Sequence, residues 1–170
     1  MYESPIIDHA KKTTAKVDGL GTLTALTICD AALREKCHRY TGIRYAKPPV
    51  GQLRWRRPQP LPDDYDYSGD YSSFKTICPQ PFYNNRGGKP NPDFKYDEDC
   101  LFLNIWIPAC QRPSTGWPVL YFIHGGGLQV GNPLHYRQCD PQDLQAEDSL
   151  DKFILVSPGY RLNIFGFLTC

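Results

Sequence analysis

Apolar and polar positions change their pattern several times along this chain, and each change predicts an element. Residues 19 to 29, GLGTLTALTIC, set Leu20, Thr22, Thr24 and Leu26 in alternation with small or polar neighbours, which predicts a β-strand or hairpin. Five prolines (Pro48, Pro49, Pro58, Pro60 and Pro62) fall within residues 44 to 63. They exclude a helix there and predict an extended segment wrapping over the surface. From Tyr65 to Asp99 the chain is rich in Tyr, Pro, Asn, Gly and Asp without a sustained period, the pattern of a long irregular loop. Leu101 to Ile107, LFLNIWI, is almost wholly apolar and stops at Pro108. It predicts a buried strand. Pro118 opens a second apolar run, Val119 to Ile123, that ends in His124, Gly125, Gly126 and Gly127. Asp140 before Pro141 reads as an N-cap with proline at the first helical position, which predicts a short helix over 141 to 147. Phe153 to Val156 supplies a third buried strand. Strands separated by a helical piece suggest a βαβ unit and an α/β fold.

Composition narrows the function classes. Lys plus Arg number 19 against 18 for Asp plus Glu, a formal net charge of +1, so no field gathers nucleic acid or an anionic membrane. The 41 % hydrophobic and 13 % aromatic content suffices for a packed core and excludes a disordered chain. The longest apolar run has five residues, far short of the roughly 20 that span a bilayer. Residues 1 to 16 lack the apolar stretch of a secretory signal, and the compartment stays unassigned. The seven cysteines at 29, 37, 78, 100, 110, 139 and 170 include no CxxC pair, so no metal site is expected. Their odd number fits either a reduced or an oxidised setting.

Three consecutive glycines after a buried strand expose bare amide N–H groups to any ligand oxygen that approaches. Such a turn can act as an oxyanion hole, or it can be only a tight β-to-α turn that needs positive φ. The phosphate-binding patterns GxxxxGK[ST] and GxGxxG opening a helix do not occur. No serine or cysteine stands in a nucleophile elbow, so His124 has nothing to activate, and His9, His38 and His135 read as surface residues.

The stretches GIRYAKPPVGQLRWRRPQP (42 to 60), ICPQ (77 to 80), DEDCLFLNIWIP (97 to 108), WPVLYFIHGGG (117 to 127) and SPGYRLNIFGFL (157 to 168) resemble, in this order, the type-B carboxylesterases, a family that includes cholinesterases and fungal lipases. The resemblance implies an α/β-hydrolase fold present only in part: N-terminal strands of the central sheet, an oxyanion-loop turn and a long disulfide-type loop. Residues 1 to 16 are then an N-terminal extension. Residues 17 to 170 are the N-terminal portion of the domain, truncated before the nucleophile elbow. The family hydrolyses carboxylic esters with a Ser, Glu or Asp, and His triad and calls for no cofactor. Its GxSxG serine is not in this stretch, so the resemblance implies no catalytic triad residue here and no turnover by the chain alone.

By motif position Gly126 and Gly127 correspond to the oxyanion-hole amides, with His124 and Gly125 supporting the turn. Cys78 and Cys100 correspond to the pair that closes a large loop by a disulfide in an oxidising compartment, and Arg54 and Glu98 to a structural salt bridge. The implied partner is a small-molecule carboxylic ester, with no nucleic acid and no membrane span. The loop tryptophan of cholinesterases has no counterpart in residues 79 to 99, where Phe82, Tyr83, Phe94 and Tyr96 are the available rings. Arg44, Leu128 and Gly159 depart from the family pattern, Leu128 at the wall of the acyl pocket. A non-catalytic binding or adhesion protein and a truncated pseudogene product are the alternatives.

Overall fold

The computed structural model describes residues 9–81, 94–134 and 152–168. In chain order the strands are β1 (His9–Val17), β2 (Gly21–Cys29), β3 (Glu35–Arg44), β4 (Gly69–Asp70), β5 (Thr76–Ile77), β6 (Lys95–Tyr96), β7 (Phe102–Pro108), β8 (Val119–Tyr121) and β9 (Ile154–Pro158). A 3-10 turn spans Gly51–Leu53 and one short helix, α1, spans Asn163–Gly166. The helix expected over 141 to 147 lies outside the described residues, as do Phe82, Tyr83, His135, Cys139 and Cys170.

Seven strands form one sheet in the order β1-β2-β3-β7-β9-β8, with β4 paired to β2 off that path. β1 and β2 make the expected hairpin, in register from His9 opposite Cys29 to Val17 opposite Gly21. Residues 9 to 16 of the expected extension therefore belong to the sheet. β3 adds to β2 and then bulges between Tyr40 and Ile43 where it passes to β7. The bulge frees edge groups that find partners elsewhere: the Gly42 N–H donates to Asn104 Oδ1 at 2.9 Å and the Thr41 N–H to the Tyr71 carbonyl at 2.8 Å. β7 and β9 run antiparallel, and β8 and β9 run parallel.

One core cluster joins Ile28, Cys37, Trp106 and Leu155, with Phe122 and Phe153 packed against it. A second joins Cys78, Cys100 and Leu162 beneath Tyr160 and Phe165. β7 and β9 bury alternate positions, Asn104 and Trp106 on one and Leu155 and Ser157 on the other, and Trp106 and Leu155 enter the first cluster. β3 escapes the sequence pattern because its buried face is Cys37, Arg39 and Thr41, two of them polar. The Arg39 guanidinium lies 4.9 Å from the Phe74 ring.

The run 119 to 123 departs from its reading as a buried strand. Only Val119–Tyr121 is strand, and Val119 and Tyr121 are 61 % and 57 % exposed; among the described residues β8 ends the sheet and pairs with β9 alone. An exposed apolar edge is a template for intermolecular pairing. The chain of residues 1 to 170 is expected to self-associate through β8, and the double variant Val119→Lys, Tyr121→Lys to sediment as a monomer in analytical ultracentrifugation. Equal assembly by both chains would reject the edge as its cause.

Candidate functional site

The glycine loop leaves the end of β8, anchored where the Phe122 N–H donates to the Val156 carbonyl at 2.8 Å. His124 follows and is 4 % exposed. Its ring stacks on Tyr160 at 4.3 Å between centroids and 15° between planes, and the Tyr160 hydroxyl donates to the His124 carbonyl at 2.5 Å. Nδ1 lies 2.9 Å from the Gly125 carbonyl oxygen. A carbonyl only accepts, so this contact places the proton on Nδ1. Burial holds the imidazole pKa below its ordinary 6.5, against a smaller upward pull from the Gly125 carbonyl. The ring is neutral at pH 7.

The turn itself closes on the Gly126 carbonyl, which accepts the N–H groups of Gln129 and Val130, each at 3.1 Å. Gly126 has φ +128°, and a β-carbon there would lie 1.7 Å from the Val130 carbonyl oxygen. Only glycine fits. Gly127, at φ +60°, has open space around it. Among the described residues neither the Gly126 nor the Gly127 N–H has an acceptor. Two neighbouring donors thus stand free on an exposed turn. Beside them opens an apolar groove of about 400 Å³ lined by Tyr45, Tyr121, Ile123, Leu128, Tyr160 and Phe167. The Tyr45 hydroxyl donates to the Gly159 carbonyl at 2.6 Å, and burial pushes its pKa well above the usual phenol range. A larger cavity, about 520 Å³ beside Lys75, Phe94 and Asn104, takes none of its walls from residues 124 to 131.

Three contacts brace the loop from outside, and no local pattern announced any of them. Gln80 grips Gly131: its Oε1 accepts the Gly131 N–H at 2.7 Å, and its Nε2 donates to the Gly131 carbonyl at 2.9 Å. The Asn163 N–H donates to the Leu128 carbonyl at 2.7 Å. The Asn163 side chain donates to the carbonyls of Pro79 at 2.8 Å and Gln129 at 3.4 Å. Gln80 falls within ICPQ, and Asn163 and Tyr160 within SPGYRLNIFGFL, but the motifs alone give them no role.

Cys78 and Cys100 are both buried and meet as thiols, hydrogen-bonded rather than joined. The Cys100 thiol and the Leu162 N–H, 3.2 Å from Cys78 Sγ, both donate to Cys78 and draw its pKa down. The same contact with Cys78, together with burial, pushes Cys100 up. Arg54 Nε lies 2.7 Å from Glu98 Oε2, and its guanidinium covers the Trp55 ring at 4.3 Å. Arg44 makes two 2.7 Å bonds to the Asp99 carboxylate while lying 4.5 Å from the Phe102 ring centroid. This bidentate pair at a position departing from the family pattern was not foreseen. Phe94 and Tyr96 flank the segment entering Asp97, His9 is exposed on β1, and His38 Nδ1 lies 2.8 Å from Thr27 Oγ1 within the sheet. Among the described residues no cluster of three His, Cys, Asp or Glu could hold a metal ion, and no helix is long and apolar enough to cross a membrane.

Comparison with known proteins adds to this geometry. The model of the carboxylesterase family matches residues 21–170. An uncharacterized esterase/lipase of Schizosaccharomyces pombe is 73 % identical over 169 residues, covering 99 % of this chain and 31 % of that protein. A carboxylic ester hydrolase of Gibberella moniliformis is 44 % identical over 156 residues, covering 88 % and 27 %. Among solved structures, the juvenile hormone esterase of Manduca sexta superposes with a TM-score of 0.70 at 29 % identity, over 94 % of this chain and 28 % of that one. The chain spans less than a third of the length of each of these relatives.

The lowered pKa of His124 has a consequence for stability. The unfolded chain binds a proton at this position more readily than the folded one, so the contribution is complete above pH 6.5 and is lost as pH falls from there toward the folded pKa. In the monomeric double-lysine background, the urea midpoint is expected to drop between pH 7 and pH 5, and His124→Asn to flatten that drop. A drop of equal size in the variant would assign it to other groups.

Proposed function

The chain belongs to the carboxylesterase family, and from that premise we propose that its glycine loop supplies the oxyanion hole of a carboxylic ester hydrolase. The fold is that of the α/β-hydrolases, represented by a sheet-rich part of it. The carrying observation is the pair of free amides, Gly126 and Gly127, standing on an exposed turn beside an apolar groove. An ester carbonyl oxygen seated between them gains negative charge as a nucleophile adds to its carbon. Neither N–H group has a hydrogen bond within the described residues to give up, so both remain available to that charge. The groove takes an apolar part of the ester, with Leu128 on its wall. Removing one such donor typically costs about 10² to 10³ in kcat.

The rest of the machinery is assigned by elimination within this stretch. His124 is neutral and its proton is committed to the Gly125 carbonyl, which makes it a support of the turn and not a base. No GxSxG occurs in the 170 residues, and in the resembled family the acid and the histidine follow that serine in the chain, so the reading places none of the three here. Arg54 with Glu98, and the Cys78 and Cys100 pair, brace the segment between them. The relatives are named as esterases and ester hydrolases, which does not favour the binding or adhesion alternative.

Two experiments test the reading. A p-nitrophenyl ester panel and an alkylphosphonate probe are applied to the 170-residue chain and to a chain extended through the reading frame downstream. Turnover and labelling are expected only in the extended chain, with Gly126→Val lowering kcat about 100-fold. Labelling of a serine within residues 1 to 170, or full activity in Gly126→Val, would overturn the proposal. After oxidation, non-reducing peptide mapping is expected to recover Cys78 joined to Cys100. Cys78 joined instead to Cys29 or Cys37 would reject that pairing.

A further inference from the structure

Gln80 holds the return limb of the glycine loop from outside. Between Gly125 and Gly131 its internal hydrogen bonds all converge on one acceptor, the Gly126 carbonyl. Its return limb at Gly131 touches its starting limb directly: a β-carbon on Gly131, at φ +125°, would lie 2.5 Å from Nδ1 of His124 and 2.6 Å from the Gly125 carbonyl oxygen. Whatever fixes Gly131 therefore fixes where His124 and Gly125 sit. Gln80 does so through both polar groups of Gly131, accepting its N–H at 2.7 Å and donating to its carbonyl at 2.9 Å. The second N–H of the carboxamide is tied to the Cys78 carbonyl at 3.1 Å. Oxygen and both N–H donors are all in use, so the side chain is locked in one orientation.

We propose that Gln80 is a positioning residue for ester hydrolysis, setting through Gly131 the direction in which the Gly126 and Gly127 amides point. This rests on the oxyanion reading above. No other common side chain of this length reproduces the grip. Glutamate ionised accepts but cannot donate, methionine does neither, and asparagine is one methylene too short. Because the free amides of Gly126 and Gly127 lie five and four positions from the clamped Gly131, Gln80 touches no substrate and acts only by aiming those that do.

The test reads loop order and chemistry separately. Hydrogen exchange followed by mass spectrometry on the extended ester-hydrolysing chain is expected to show, in Gln80→Met, at least about tenfold faster exchange in the peptide over 124 to 131, with β3 and β7 peptides unchanged. In the extended ester-hydrolysing chain the same variant is expected to lower kcat about 10- to 100-fold per titrated active serine, with KM within about twofold. Gln80→Glu separates position from bulk stability. It should resemble Gln80→Met at pH 8 and move toward the parent as pH falls through the titration of the new carboxyl, whose protonated form accepts the Gly131 N–H and donates one hydrogen bond to the Gly131 carbonyl. Unchanged loop exchange, a uniform rise over the whole chain, or faster loop exchange with kcat unmoved would each overturn the proposal. Failure of the oxyanion reading shows elsewhere, as a Gly126→Val variant that retains full turnover.

Discussion

A β-carbon on residue 131 would lie 2.5 Å from Nδ1 of His124, so the loop closes against the histidine only with glycine there, and that closure underlies the other features of the site. With Gly131 seated, His124 is shut between it and the Tyr160 ring. Buried in this way the imidazole stays neutral, and its one proton goes to the nearest carbonyl, that of Gly125. The chain then has only the turn at Gly126 to reverse direction, which leaves the next amides facing solvent. The carbonyls of Gly125, Gly126, Leu128, Gln129 and Gly131 are already taken by other donors.

The floor beneath this loop is stabilised differently from the sheet. β7 and β9 hold together by ladder bonds and an apolar cluster around Trp106 and Leu155. The segment from Asp97 to Cys100 has little apolar surface, and polar contacts hold it in place. Asp97 Oδ1 accepts the Asp99 N–H at 2.9 Å, Arg44 forks onto Asp99, Arg54 meets Glu98, and Thr76 donates to the Asp99 carbonyl. Exposed ion pairs are usually worth about 0 to 1 kcal/mol. The Arg44 pair should exceed that, since its side chains are only 18 % and 31 % exposed, its geometry is bidentate, and the Phe102 ring lies under the guanidinium. A residue that departs from the family pattern thus reinforces the same base that Arg54 and Glu98 brace.

What the amino-acid order disclosed follows from how local each cause is. β2 and β7 have apolar or alternating runs that bury a face, and the three glycines announce a turn with free amides. β3 stayed hidden because its inward residues Arg39 and Thr41 are polar and make contacts outside the strand, Arg39 with the Phe74 ring and Thr41 with the Tyr71 carbonyl. β8 looked buried because apolar runs usually are, yet among the described residues it ends the sheet, a place that no local pattern encodes. Gln80 and Asn163 were unreadable for a similar reason. Their partners lie 51 and 84 positions away, and a single polar residue carries no periodicity that would point so far.

The proposed role in acyl transfer assigns different work to the loop's amides and to its imidazole. Stabilising an oxyanion calls for donors that do not move and do not titrate, and backbone amides on a clamped turn meet both conditions over the whole working pH range. Proton transfer calls for the opposite, a group whose pKa lies near the ambient pH and whose lone pair faces the reacting atom. His124 is the one imidazole in the loop, and it meets neither requirement. Burial depresses its pKa, Nδ1 is occupied, and its ring face is covered by Tyr160. The same packing that removes it from acid-base chemistry keeps the loop rigid. Under the proposed oxyanion role, residues 124 to 131 act as a fixed electrostatic receptor braced by Gln80 and Asn163, with no titrating side chain of the loop taking part.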